Sequence, residues 1–239
     1  MNRHRIVFFP LCILFFIFLS CHKDNPVEPV QTVTPAFSGT VTDSSGAVVE
    51  GAGVYFITHF DKPLPVSGPR KTTPTTQIRY DIDTTGFVTV VLFRYGTNEL
   101  IDTLADDSVT AGSYAITIDQ VSLTNGLYYY TIYLNHKFYA KHYMMNYIDQ
   151  ALELVDTDPL ILTDANGKFT LPIKVFGAGF KLFVTGGTSD VIDTLTITNT
   201  IDLVLYESGY QVFTKQITFD TTKSYSGKFV LIEGLTKRR

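Results

Sequence analysis

Tryptophan is absent from the 239 residues, and cysteine occurs only at Cys12 and Cys21. Beyond residue 21 the chain therefore forms no disulfide, holds no metal on thiolates and has no cysteine nucleophile. A basic surplus is also missing: 19 Lys and Arg stand against 23 Asp and Glu, a formal charge of −4. That balance excludes a nucleic-acid partner, because neutralising phosphates needs a basic face. Charged residues make up 18% and hydrophobic residues 45%, so the chain can bury a core and is not a solvated disordered segment. No amphipathic helix is legible after residue 36; the nearest, Asn146 to Val155, is at most one helical turn. Gly-x-Ser-x-Gly, a phosphate loop, a dinucleotide fingerprint and His-Glu-x-x-His are missing too. The expectation is a protein that is not an enzyme and carries no cofactor.

Long apolar runs are confined to the N-terminus. Arg3 and Arg5 precede Ile6 to Leu19, interrupted only by Pro10. This run fits a signal-peptide core and is short of the ~20 residues that span a bilayer. It ends in Phe18-Leu19-Ser20-Cys21, which resembles a bacterial lipobox. The resemblance implies cleavage after residue 20, lipid on Cys21 and membrane attachment through that lipid. The residues after it, His22-Lys23-Asp24-Asn25, lack an Asp directly behind the cysteine and are similar to the surface-export signal of Bacteroidota lipoproteins. An outer-membrane, surface-exposed location is the expectation. Pro26, Pro29 and Pro35 make residues 21–36 a semi-rigid tether.

The remainder alternates with period two, as in Ile78/Tyr80/Ile82, Val88/Val90/Leu92, Tyr114/Ile116/Ile118 and Tyr128/Tyr130/Ile132, which is the pattern of half-buried strands. Turn pairs recur at short intervals: Ser45-Gly46, Asn125-Gly126, Asn166-Gly167, Gly186-Gly187 and Ser208-Gly209. The expected class is all-β, with antiparallel sandwiches. Ser38 to Val54, with Gly39, Val41, Asp43, Gly46, Gly51 and Ala52, resembles the opening of a carboxypeptidase-regulatory-like, transthyretin-like domain. Its second signature, Thr163-Asp164-Ala165-Asn166-Gly167-Lys168-Phe169, follows only after about a hundred residues. The series Thr75 to Ile82, Gly86 to Phe93, Tyr114, Asp119, Asn125 to Tyr130 and Lys141 to Met145 is similar to the immunoglobulin-like domain of flagellar hook-capping proteins. The two resemblances imply nesting: a discontinuous outer sandwich, 37–59 plus 157–235, and an inner one, 72–147, with linkers at residues 60–74 and 146–158.

Among candidate sites, His22, His59, His136 and His142 are read as solvated or capping groups, not metal ligands. Asp156, Asp158, Asp164 and Asn166 leave calcium open, with a hairpin turn at Asp164 to Gly167 as the simpler reading. Tyr128 and Tyr130 share one strand face, with Tyr129 and Tyr133 on the other; core packing is the main reading and a sugar-stacking platform the alternative. The candidate interaction edge is the last strand of the inner module, through Lys137, Phe138, Tyr139, Lys141, His142 and Tyr143; its lysines make a protected edge the simpler reading, and proline at Ala140 is expected to spare the fold if the strand is an outward-facing edge. The partner is expected to be an envelope protein or a glycan. The functional expectation is a non-enzymatic presentation, scaffolding or protein-binding lipoprotein; the alternative is a carbohydrate-binding accessory of a glycan-uptake system.

Overall fold

The computed structural model describes residues 34–64, 75–119, 123–185 and 191–234. Cys21, the tether and the Gly186-Gly187 turn lie outside them. The chain is all-β. Its strands are β1 (Ala36–Asp43), β2 (Gly53–Phe60), β3 (Thr75–Ile82), β4 (Gly86–Arg94), β5 (Leu100–Val109), β6 (Gly112–Asp119), β7 (Gly126–Leu134) and β8 (Lys137–Asn146), then β9 (Ile161–Leu162), β10 (Lys168–Pro172), β11 (Lys181–Thr185), β12 (Val191–Tyr206), β13 (Phe213–Thr218) and β14 (Tyr225–Leu231). One helical turn, α1 (Ala151–Leu154), follows β8, and a 3-10 turn covers Ile173–Phe176.

Two pairs of sheets enclose two cores. A three-stranded sheet, β10-β1-β14, faces one ordered β11-β12-β2-β9 with β13 also on β12. Val41, Val54, Phe56, Phe169, Leu171, Ile201, Leu203 and Phe229 meet between them. The sheet β3-β6 faces β5-β4-β7-β8, and Ile78, Val90, Leu92, Ile118, Tyr128 and Ile132 meet there, with Tyr114 packed against them. Strands β3 to β8 thus lie in sequence between two halves of the other sandwich.

One pair departs from the antiparallel expectation. Strand β1 pairs parallel with β14, from Phe37↔Tyr225 to Asp43↔Leu231. A parallel pair needs a long connection, and here the connection is nearly the whole fold.

Local chemistry accounts for the tight places. The Asp43 carboxylate accepts hydrogen bonds from the Ser45 N–H, the Ser45 hydroxyl and the Ala47 N–H. The Asp164 carboxylate accepts from the N–H groups of Asn166 and Lys168. These bonds favour the charged forms and hold both carboxyls below their ordinary range. Thr163 is buried; its hydroxyl donates to the Val49 carbonyl at 2.7 Å and accepts from the Ala52 N–H at 2.9 Å. A Cβ on Gly39 would lie 2.3 Å from the Phe169 ring and 2.6 Å from the Phe229 ring, so only glycine lets both rings cover β1.

The segment from residue 146 to 158, expected to be a linker, is a packed connector. Asn146 is fully buried, and its side-chain amide donates to the Leu123 carbonyl at 2.7 Å. Ile148 and Leu154 form a third core with Tyr55, Ile57 and Val204. Strand β2 is consequently buried on both faces along most of its length, which is why Gly53-Val54-Tyr55-Phe56-Ile57 reads as a continuous run and not an alternation.

Candidate functional site

Strand β8 pairs with β7 alone and forms one edge of its four-stranded sheet. It follows β7 through Asn135 and His136, both left-handed, with φ of 49° and 64°. This is the two-residue hairpin geometry that matches strand twist. The Asn135 side-chain oxygen accepts from the Phe87 N–H at 2.9 Å and fixes the turn to β4. Along the edge Phe138 is 65% exposed and Tyr143 44% exposed. Lys137, Lys141 and His142 are exposed, and Tyr139 and Ala140 are half-buried. A bulge between Ile132 and Tyr133 shifts the register against β8, a device that blunts edge-to-edge pairing. The opposite edge, β5, carries Asp102, Asp106 and Asp107 and two register shifts.

The register corrects the reading of Ala140. The Asn135 N–H donates to the Phe87 carbonyl and the Tyr95 N–H to the Leu127 carbonyl. Odd-numbered residues of β7 therefore direct their backbone groups to β4 and even-numbered ones to β8. Ala140 pairs with Ile132, so its N–H points inward, while those of Lys141 and Tyr143 point outward. Ala140→Pro is expected to destabilise the protein by about 1–3 kcal/mol, by removing one ladder bond and leaving the Ile132 carbonyl without its donor. Chemical denaturation of the variant checks this; an unchanged midpoint would contradict the assignment.

The outward face of the same sheet gathers groups that single-strand reading kept apart. Phe93 of β4, Tyr129 of β7 and Tyr143 of β8 are cross-strand neighbours. Their ring centroids are 5.1 Å apart for Phe93 and Tyr129, and 6.2 Å for Tyr129 and Tyr143. Phe180, just before β11, continues the row at 4.8 Å from Tyr143, and Tyr95 lies 5.6 Å from Phe180. The Lys141 ammonium sits 3.7 Å from the centre of the Tyr129 ring and 5.3 Å from that of Tyr143. The Lys174 ammonium lies 5.6 Å from the Tyr95 ring centre. Burial, with Tyr143 adding to it, holds the Tyr95 hydroxyl above the ordinary tyrosine range, so it remains a neutral donor. Beside Tyr95 a cavity of about 280 Å³ is lined by Thr34, Pro35, Ile173, Lys174, Gly177, Ala178 and Thr221. A wider recess of about 520 Å³ adjoins it across Ala178 and Thr221 and reaches Asn199 and Asp220. The Asp220 carboxyl is held well below its ordinary range by the Thr222 hydroxyl and N–H and the Lys223 ammonium.

The tyrosine faces separate as their spacing requires: Tyr128 and Tyr130 are buried, while Tyr129 and Tyr133 are half-buried on the other side. The histidines do not converge. His59 meets Asp202 at 3.0 Å, His136 lies against Phe87, and His142 stacks on Tyr130 at 5.2 Å. His22 falls outside the described residues. No group of three or more His, Cys, Asp or Glu placed to hold a metal occurs among the described residues.

Sequence reading missed Phe93, Tyr95, Lys174 and Phe180. The only available signal for Phe93 was that it faces away from Val88, Val90 and Leu92 on β4. Asn125-Gly126 is not a turn. Asn125 is buried, donates to the carbonyls of Phe56 and Ile148 at 3.2 and 2.7 Å, and accepts from the Ile148 N–H at 2.6 Å. At the same junction a Cβ on Gly96 would lie 2.6 Å from the Val175 backbone nitrogen, so backbone meets backbone between the sandwiches.

No protein-family model and no curated protein matches the chain. Among solved structures it is similar to the Bacillus anthracis TIE protein, at 8% identity and a TM-score of 0.20, over 84% of this chain and 50% of that one. The chain thus spans about half the length of that protein. No helix among the described residues is long and apolar enough to cross a membrane.

Proposed function

We propose that this chain is a non-enzymatic cell-envelope lipoprotein, anchored in the outer membrane through lipid on Cys21, that presents a protein-binding surface. The transthyretin-like and immunoglobulin-like resemblances belong to this reading and describe the two sandwiches as a scaffold and a presented module. The observation that carries it is the β8 edge, where Phe138 is 65% exposed beside outward N–H groups. Large exposed apolar side chains on a strand with one unpaired edge suit a partner that adds to the sheet.

Two measurements test this reading. Cys21→Ser is expected to move the protein from the membrane to the soluble or unprocessed fraction and to abolish incorporation of a labelled fatty acid; label retained by the variant would sink the anchor. A photo-crosslinking residue in place of Phe138 is expected to yield a discrete protein adduct in intact cells. Absence of any adduct would count against the edge.

A second reading, a carbohydrate-binding accessory role, is favoured by one observation: the aromatic row across β4, β7 and β8.

A further inference from the structure

The side chains on the outward sheet face differ from an ordinary solvated surface in two ways. The rings of Tyr129, Tyr143, Phe180 and Tyr95 form a continuous strip with neighbouring centroids 4.8 to 6.2 Å apart. Two strands, β7 and β8, the residue just after β4 and the segment before β11 converge to build it. Within the strip, the ammonium groups of Lys141 and Lys174 lie over aromatic rings, and neither meets a carboxylate among the described residues. Both lysines are exposed, and an ammonium held over a ring keeps donors for charge-assisted hydrogen bonds to an incoming anion.

We propose that this strip, from Tyr129 and Lys141 to Tyr95 and Lys174, binds an acidic polysaccharide, one whose pyranose rings carry carboxylate groups. The proposal rests on the carbohydrate-binding reading and names its ligand class. Tyr143, the exposed ring of the strip, suits the apolar face of a pyranose, and the two ammonium groups supply the charge complement that a neutral sugar would not use. The cavity of about 280 Å³ beside Tyr95 and Lys174 has the scale of a small-ligand site and would take the end of such a chain or a side branch. A protein partner fits this face less well. Lysine is depleted where protein interfaces are buried, and the strip offers side chains where strand addition would need backbone groups.

The test is native affinity electrophoresis of the full chain in mild detergent. The gels contain polygalacturonate or, in parallel, the same polymer with its carboxyls methyl-esterified. Retardation by polygalacturonate at about tenfold lower polymer concentration than by the ester is expected. Lys141→Gln with Lys174→Gln should erase that difference, and Tyr143→Ala should reduce retardation in both gels. Lys168→Gln with Lys228→Gln, two exposed lysines on β10 and β14, should leave it unchanged. Thermal melts of each variant confirm that it is folded. Equal retardation by both polymers would overturn the acidic ligand class while leaving a carbohydrate reading intact. Retardation by neither would overturn both. An equal loss in the Lys168/Lys228 variant would show a diffuse charge effect and overturn the site.

Discussion

Truncating Phe176 to alanine is expected to destabilise the protein by about 3–5 kcal/mol, the range for removing a buried phenylalanine from a core that cannot collapse. Phe176 is only 2% exposed. Its ring meets Phe37 edge-on at 5.2 Å, Phe56 edge-on at 5.0 Å and Phe219 at 5.3 Å. Those three partners come from β1, β2 and the residue just after β13, so one side chain joins the two facing sheets. The residue ends a 3-10 turn led by Pro172 and precedes Gly177, left-handed with φ of 69°, which fixes the direction in which the ring enters. The rigid surroundings leave little room for neighbours to move inward, which places the cost toward the upper end. Phe176→Leu should recover about half of the loss, because most of the apolar volume returns while the edge contacts do not. Equilibrium denaturation of both variants checks the order. A loss below about 1 kcal/mol for alanine would mean that the core is not packed around this ring.

Asn125→Ala should cost at least about 3 kcal/mol, and its effect should differ in kind. The change leaves the Phe56 and Ile148 carbonyls and the Ile148 N–H without their partner inside the protein, each worth about 1–3 kcal/mol when buried. Phe56 belongs to the outer sandwich, Ile148 to the connector, and Asn125 directly precedes β7. Hydrogen bonds from one amide therefore tie three parts of the chain. The variant should unfold with the inner sandwich uncoupled from the outer, seen as two transitions against the single one expected of the coupled parent. Asn125→Asp keeps the shape and the acceptor but loses both donors and buries a carboxyl, so it should be no milder. A single, unshifted transition in either variant would contradict the coupling.

Strand identity was legible because half-buried strands alternate, as at Ile78, Tyr80 and Ile82, all of them buried. The hairpin at Asn135-His136 is built from two residue types that accept a left-handed φ more readily than most. What stayed hidden depends on register and on distant contacts. Asn125-Gly126 has turn chemistry, yet a Cβ on Gly126 would lie 3.2 Å from the Phe56 ring, and nothing nearby in sequence announces Phe56. The connector near Ile148 looked like a linker because its apolar residues neither alternate nor sustain more than one helical turn, although they pack on the outer face of a strand 90 residues earlier. The edge residues Lys137 to Tyr143 were named from sequence, but which of their N–H groups face outward follows from the β4–β7 ladder alone. The aromatic strip was invisible for the same reason. Phe93, Tyr129, Tyr143 and Phe180 become neighbours only when four segments are in register.

The parallel pairing of β1 with β14 imposes an order of events on a chain made from its N-terminus. Strand β1 emerges early but has no β14 to pair with until nearly everything else has been synthesised. Strands β3 to β8 are contiguous and can close on one another first, in keeping with the smaller entropy cost of shorter loops. Their folding draws the end of β2 toward the connector and shortens the effective loop that the outer sandwich must close. Until then β1 and β2, with Phe37, Tyr55 and Phe56, expose apolar strands that invite misassembly. The inserted module thus acts as a timer for its host, and truncations from the C-terminus should strand β1 even when the inner sandwich is complete.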